Sequence, residues 1–211
     1  MDTNELTALA AANIRTLLDL RGMTQRQLAA EAGMKEPDVS RLLRAARDDG
    51  DDVRTSLATL VRVAAALGVP VVELLAEGFW LLLRGTVAAG PLNRPEVYKP
   101  PRSMFVPGQF PRGCFALKVN GRSCTQFGIC DGDTVIIKPA TEPQENRFVV
   151  VACAEGHTLK AFFGGQLLQF RPEDKEPVVV EMTEVTNVVG VVVGGEYGPR
   201  IYKPAKKERR G

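Results

Sequence analysis

The 211-residue sequence contains one histidine, His157, and one tryptophan, and aromatic residues make up only 6% of it. A single imidazole supplies a Ser-His-Asp triad poorly. The four cysteines stand at positions 114, 124, 130 and 153, with no C-x-x-C pair among them. Together with His157 they match no familiar zinc pattern, so neither a metal site nor a cofactor is expected. The longest apolar runs, Phe79 to Leu83 and Val188 to Val193, are far too short to cross a bilayer. The first residues, with Asp2 and Glu5, lack the apolar core of a secretory leader. A cytoplasmic location away from membranes is expected, with the thiols reduced.

What is present reads as an ordinary globular chain, with 45% hydrophobic and 25% charged residues. Its length suits two domains. The net charge of +2 says little until it is divided. Arg21, Arg26, Lys35, Arg41, Arg44 and Arg47 crowd one stretch, while the acids gather in Asp48-Asp49-Gly50-Asp51-Asp52. Segregation of this kind suits a basic face turned to a polyanion, although on charge alone a solvated helical face is the simpler account.

The first third carries helical spacing. Leu6, Leu9, Ala10, Ile14, Leu17 and Leu18 form one apolar stripe, ended by Gly22. Thr24 caps a second helix with Leu28, Ala29 and Ala32 inward, and Gly33 turns the chain. Lys35 to Arg44 forms a third, which tolerates Pro37 in its first turn. Thr55 or Ser56 caps a fourth, Leu57 to Leu67, stopped by Gly68, and a fifth runs from Val71 to about Ala76. The segments "MTQRQLAAEAGMKEPDVSRLLR" (23 to 44) and "SLATLVRVAAALGVPVVELL" (56 to 75) resemble the Cro-like, XRE-type helix-turn-helix of phage repressors. Pro37 and the lengthened acidic loop depart from that pattern.

A recognition helix presents its N-terminal side chains to base edges in the major groove. Arg41 is the first candidate for base readout, with Lys35 and Ser40 beside it. Glu36 either accepts from cytosine or stabilises the helix N-terminus. The resemblance assigns Gln25 to a phosphate. Arg26 and Arg44 are expected to grip the DNA backbone, the alternative for Arg44 being a solvated helix end.

Six prolines fall between residues 91 and 111, which excludes a helix or a central strand there. From Cys114 onward the pattern is that of strands: 115 to 119, 134 to 138, 148 to 153, 158 to 163, 167 to 170, 178 to 181 and 188 to 193. Gly164-Gly165 marks a hairpin. The expected organisation is a helix-turn-helix domain (1–78), a linker with a cleavage segment (79–113), a β domain (114–198) and a basic tail (199–211). The tail, ending "KPAKKERRG", is expected to be disordered.

Four motifs in this half carry a second resemblance. "LKVNGRSC" (117 to 124) with "GICDGDTVIIKP" (128 to 139), "HTLKAFF" (157 to 163), "GTVAAGPL" (85 to 92) and the closing "VVGVVVG" are similar to LexA-like self-cleaving repressors. The resemblance implies Ser123 as nucleophile, Lys160 as base and Ala89–Gly90 as the bond cut. It also implies a mainly-β fold like that of LexA and signal peptidases, following an all-α domain of five helices. A serine hydroxyl needs a neighbouring base to become nucleophilic. A lysine with its free pKa of about 10.4 is under ~0.1% neutral at pH 7. Burial beside Leu159, Phe162 and Val149 to Val151 would disfavour the ammonium. Taken alone, a lysine on a strand is more often a snorkelling surface residue. Arg122 and Cys124 replace the Asp and Met usual around the family's serine; Arg122 either helps depress Lys160 or impedes the approach of substrate.

The expected function is a repressor of double-stranded operator DNA, dimeric through its β domain and inactivated by cutting itself. The resemblance names a RecA filament on single-stranded DNA as the trigger. The competing expectation is a non-cleaving sensor-repressor in which the β domain only dimerises and Cys124 senses an oxidant or other signal.

Overall fold

A computed structural model describes residues 3–45, 55–89, 96–154, 156–169, 176–181 and 185–196. The chain divides into two compact units, one comprising Met1–Leu81 with Ser103–Gln109, the other Leu82–Arg102 with Phe110–Gly211. The acidic loop at 48–52, Arg47, Gly90 and the tail from 199 lie outside the described residues.

The first unit contains α1 (Thr3–Arg21), α2 (Gln25–Glu31), α3 (Glu36–Arg44), α4 (Leu57–Leu67) and α5 (Val71–Leu74). Thr24 and Gln27 close a capping box on α2, each side chain bonded to the other's backbone N–H. Pro37 sits in the first turn of α3, where its missing N–H has no helical partner to lose. Ser56 caps α4, and Gly68 ends it in the left-handed conformation. Leu60, Val63, Ala64 and Leu67 on α4 meet Ile14, Leu17, Leu28, Val39 and Leu42 in one core. Buried Asn13 is held by the carbonyls of Leu74 at 2.9 Å and Ala76 at 3.2 Å, so a polar side chain fixes where α5 ends.

This unit is not wholly helical. The segment expected as a linker, 79–113, carries two strands, β1 (Phe79–Ala89) and β2 (Val97–Val106). The unit boundary falls within both strands. Trp80 is buried in the helical core, its ring edge-on to Phe105 at 5.2 Å. Its indole N–H finds no acceptor among the described residues. Arg21 Nε donates to Ser103 Oγ at 2.8 Å. Burial of aromatic surface draws these segments onto the helices, which hydropathy along the chain does not announce. β2 contains Pro100 and Pro101 and stands at the sheet edge, where strand prolines are tolerated.

The remaining strands are β3 (Phe115–Gly121), β4 (Thr134–Pro139), β5 (Arg147–Cys153), β6 (Gly156–Phe163), β7 (Gln166–Gln169), β8 (Val178–Val180) and β9 (Val185–Glu196). They follow the order β2-β1-β3-β4-β9-β5-β6-β7-β8. Gly164 and Gly165, both at positive φ, make the β6–β7 turn. Alternation on β3 to β6 sends Phe115, Leu117, Val119, Val135, Ile137, Phe148, Val150 and Leu159 into one core. β1 pairs in parallel with β3 from Leu83↔Ala116 to Ala89↔Gly121, and Ala88 also meets Thr158 of β6. The end of β1 is thus held from two strands at once.

Candidate functional site

The site forms where β1 ends. Ala88 and Ala89 are buried against β3 and β6. Thr158 Oγ1 donates to the Ala88 carbonyl at 3.1 Å. The backbone N–H of Ser123 donates to the Ala89 carbonyl at 2.9 Å. That approach requires Gly121, whose φ is +123° and where a Cβ would lie 2.1 Å from the Ala89 oxygen. The loop holding Ser123 is braced by the Asp-Gly-Asp hairpin. Asp131 Oδ1 accepts from the Gly121 N–H at 2.8 Å, and Asp133 Oδ2 accepts from the Cys130 N–H at 2.7 Å. A 3-10 turn, Thr125–Phe127, follows.

Ser123 is only 3% exposed, and its Oγ is a buried hydroxyl with no hydrogen-bond partner among the described residues. A buried, unsatisfied hydroxyl costs stability, and such groups repay attention as candidates for chemistry. Lys160 is 4% exposed on β6, opposite Val149 of β5. It is therefore a buried lysine and not a snorkelling one. It stands two residues beyond Thr158 and so on the same face of the strand. Lys160 Nζ donates to Gln169 Oε1 of β7 at 2.6 Å. Lysine has only donors, so the amide must turn its oxygen toward it.

Cys124 lies between the serine and the β6 strand, its Sγ 4.0 Å from the Leu159 carbonyl oxygen. Burial pushes its thiol up to about 12, against weaker downward pulls from the Lys160 charge and the Ser123 side chain. The Ser123 side chain adjoins that thiol, yet its Oγ has no hydrogen-bond partner among the described residues. Arg122 is exposed. The structure therefore brings Ala89 and Ser123 into direct contact and sets Lys160 on the strand that also grips Ala88; Gly90 lies outside the described residues. Thr158, Gln169 and Gly121 were not singled out from sequence, because their partners exist only once β1, β3, β6 and β7 are in register.

On the helical unit, Gln25, Arg26, Lys35, Glu36, Arg41 and Arg44 are all exposed on α2 and α3 or at their caps, and Ser40 is half-buried. Lys35, Asp38 and Arg41 share a groove of about 650 Å³ with Ser56, Thr59 and Arg62. Arg62 is a structural member of it. Its Nε and Nη2 donate to the Ala32 carbonyl at 3.1 and 2.8 Å, and Nη2 also reaches the Gly33 carbonyl, clamping the turn between α2 and α3. Arg15 Nη2 likewise donates to the Leu43 carbonyl at 2.7 Å near the end of α3. The two helices are thus fixed by arginines whose charge is spent on backbone carbonyls.

Comparison with known proteins bears on both halves. The family model for Peptidase S24-like proteins matches residues 82–193. The chain belongs to the Peptidase S24-like family. Within this S24-like chain a helix-turn-helix domain model also matches residues 3–72, so a DNA-binding type of domain is joined to the peptidase-like one. The LexA repressor of Azoarcus sp. (strain BH72) is 28% identical over 181 residues, which cover 82% of this chain and 84% of that protein. The LexA repressor of Dechloromonas aromatica (strain RCB) is 29% identical over 192 residues, covering 86% and 89%. That of Colwellia psychrerythraea is 32% identical over 136 residues, 60% of this chain and 63% of the relative, so that match spans less than two thirds of its length. No helix among the described residues is long and apolar enough to cross a membrane.

Proposed function

We propose that this protein is a repressor of double-stranded operator DNA that switches itself off by cutting its chain between Ala89 and Gly90. One observation carries the reading: the N–H of the candidate nucleophile, Ser123, is hydrogen-bonded to the carbonyl of Ala89, the group that would be attacked. A donor already aimed at that oxygen is what a developing oxyanion needs, and such a donor is worth about 10²–10³ in rate.

The chemistry needs no group from outside the chain except water. Neutral Lys160 takes the proton of Ser123 as Oγ bonds to the Ala89 carbonyl carbon, and the negative charge gathers on the oxygen facing the Ser123 N–H. The C–N bond to Gly90 breaks, and the lysine returns its proton to the departing amine. Water then adds to the Ser123 ester with Lys160 again accepting the proton, which frees the Ala89 carboxylate and restores the serine. Burial of Lys160 favours its neutral form.

Operator reading falls to α3, with Arg41 foremost, Lys35, Ser40 and Glu36 beside it, and Gln25, Arg26 and Arg44 on phosphates. Two copies joined through the β domain would bind a two-part operator by raised effective concentration. The LexA relatives support a DNA-damage response, and the family resemblance supports a RecA filament as the trigger. An oxidant sensor at Cys124 is disfavoured, since a buried thiol raised to about 12 holds almost no thiolate near neutrality.

The test is intact mass over hours at pH 7 and pH 10, with and without a RecA–single-strand filament. Fragments of residues 1–89 and 90–211 should form faster at pH 10, and Ser123→Ala or Lys160→Ala should each abolish them. Full-length protein persisting under every condition would remove self-cleavage.

A further inference from the structure

The proposed cut separates two segments from the units that house them. A break after Ala89 leaves residues 82–89 on the fragment with the helices, yet those residues belong to the β unit. It leaves 103–109 on the fragment with the sheet, yet those belong to the helical unit. Each segment is deeply engaged. Val87, Ala88 and Ala89 are buried and lie in the ladder with β3 that runs from Thr86↔Lys118 to Ala89↔Gly121, and the carbonyls of Ala88 and Ala89 accept from Thr158 and Ser123 respectively. In the helical unit Phe105 packs edge-on to Trp80, Val106 is 2% exposed, and Ser103 accepts from Arg21. Gly78 is so close to this segment that a Cβ there would lie 2.3 Å from the Phe105 ring and 2.7 Å from the Val106 carbonyl.

We infer that breaking the Ala89–Gly90 bond does not by itself part the protein: the two fragments stay interlocked through exchange of 82–89 and 103–109, and operator release waits for them to come apart. The position of the cut rests on the proposed function; the interlock rests on which segment is built into which unit. A strand held by a parallel ladder and a buried apolar face leaves its unit only when that surface is exposed, so each fragment resists withdrawal of the other's segment. Both must be withdrawn, and parting becomes an unfolding-like step with its own rate. Trp80 reports on that step, being the one tryptophan of the chain and in contact with Phe105.

The experiment makes the cut independently of the chain's own chemistry. Ser123→Ala full-length protein, with a site-specific protease sequence in place of residues 91–95, is cut to completion in native buffer. The fragments should co-elute in size-exclusion chromatography at micromolar concentration, with Trp80 emission unchanged and operator affinity within about twofold of the uncut protein. They should then part slowly, with a red shift of Trp80 and loss of operator affinity, at a rate that rises steeply with added denaturant. Phe105→Ala in the same background should speed parting at least tenfold, and Ser103→Ala, which removes only the Arg21 bond, should speed it less. Fragments that elute apart as soon as they are cut, Trp80 emission that shifts as cutting proceeds, or parting rates indifferent to both substitutions would each overturn the interlock. Absence of self-cleavage in the wild type bears on the proposed function alone, because here the protease makes the cut.

Discussion

The backbone N–H of Ser123 donates to the carbonyl oxygen of Ala89 across 2.9 Å. The two residues are 34 apart in sequence, so the contact exists only because β1 lies parallel to β3 and ends where the β3 loop begins. The register that seats Ala89 beside Gly121 also sets Ala88 opposite Thr158. If β1 ends in the bond that is cut, as proposed, a segment already held as a strand carries little of the positioning cost that a free peptide would bring, which would let an otherwise slow pair of groups act within the chain.

Gly121→Ala tests that seating. The added methyl would lie 2.1 Å from the Ala89 oxygen at a φ of +123°, so both the contact and the backbone oppose it. Self-cleavage should fall at least about 100-fold, the scale of losing an oxyanion donor. Operator affinity of the full chain should stay unchanged, because the helical unit is untouched. Cleavage at the wild-type rate, followed by intact mass, would mean that Ala89 is not attacked in this seat.

Two arginines in one groove should behave differently. Arg41 is exposed on α3, whereas Arg62 holds the Ala32 and Gly33 carbonyls. Arg41→Ala should leave the melting temperature alone, cost about 1–3 kcal/mol on a cognate operator and relax specificity there. Arg62→Ala should cost about 1–3 kcal/mol of stability by stripping charged donors from backbone acceptors. Thermal melts and operator titrations on both variants separate the roles. Arg41→Ala binding cognate and random duplexes as the parent does would displace α3 as the reading helix.

Local signals carried the helices well. Thr24, Ser56 and Gly68 mark helix ends through side-chain oxygens and a left-handed glycine, all determined within a few residues. Strands β3 to β7 were legible for the same reason, since alternation in β3 and β4, the apolar run of β5 and the Gly164-Gly165 turn between β6 and β7 are all local properties. β1 and β2 were not. Phe79 to Leu83 has neither alternation nor helical spacing, and Pro100 and Pro101 exclude a central strand without signalling the edge strand that β2 forms. At the site, Ser123 and Lys160 stood out through motifs. Gln169 did not, because nothing near it in sequence signals a lysine on the neighbouring strand.

Cys124 makes stability depend on pH in a definite direction. In the folded chain its thiol is raised to about 12, while unfolded it returns to the ordinary range near 8.5. Between those values the unfolded chain loses a proton that the folded chain keeps, so stability falls as pH rises through that window and is unaffected below it. The contribution is up to about 1.4 kcal/mol per pH unit. Other groups also titrate there, so the readout is a difference in slope. Denaturant midpoints of Ser123→Ala and of Ser123→Ala with Cys124→Ala should run parallel below pH 8 and converge above pH 9. Parallel curves throughout would mean that the thiol is not buried as described.

Gln169 offers Lys160 an acceptor without a counter-charge. Its Oε1 lies 2.6 Å from the lysine Nζ, so the amide can orient an amine while leaving it free to be neutral. Gln169→Glu keeps the shape and the acceptor but adds a negative charge, which favours the ammonium. In the proposed mechanism only the neutral lysine accepts the Ser123 proton, so the rise of cleavage rate with pH should move to higher pH. Near neutrality the variant should be slower than the parent by tenfold for each unit of that displacement, while the alkaline plateaus should agree. Gln169→Leu removes the acceptor without adding charge, so its plateau should drop and its profile should not move alkaline. A purely structural role for Gln169 would lower rates in both variants at every pH alike. Cleavage rates from pH 6 to pH 11, followed by intact mass in all three proteins, decide the matter. A Gln169→Glu profile superimposed on the parent's would show that this contact does not govern the base.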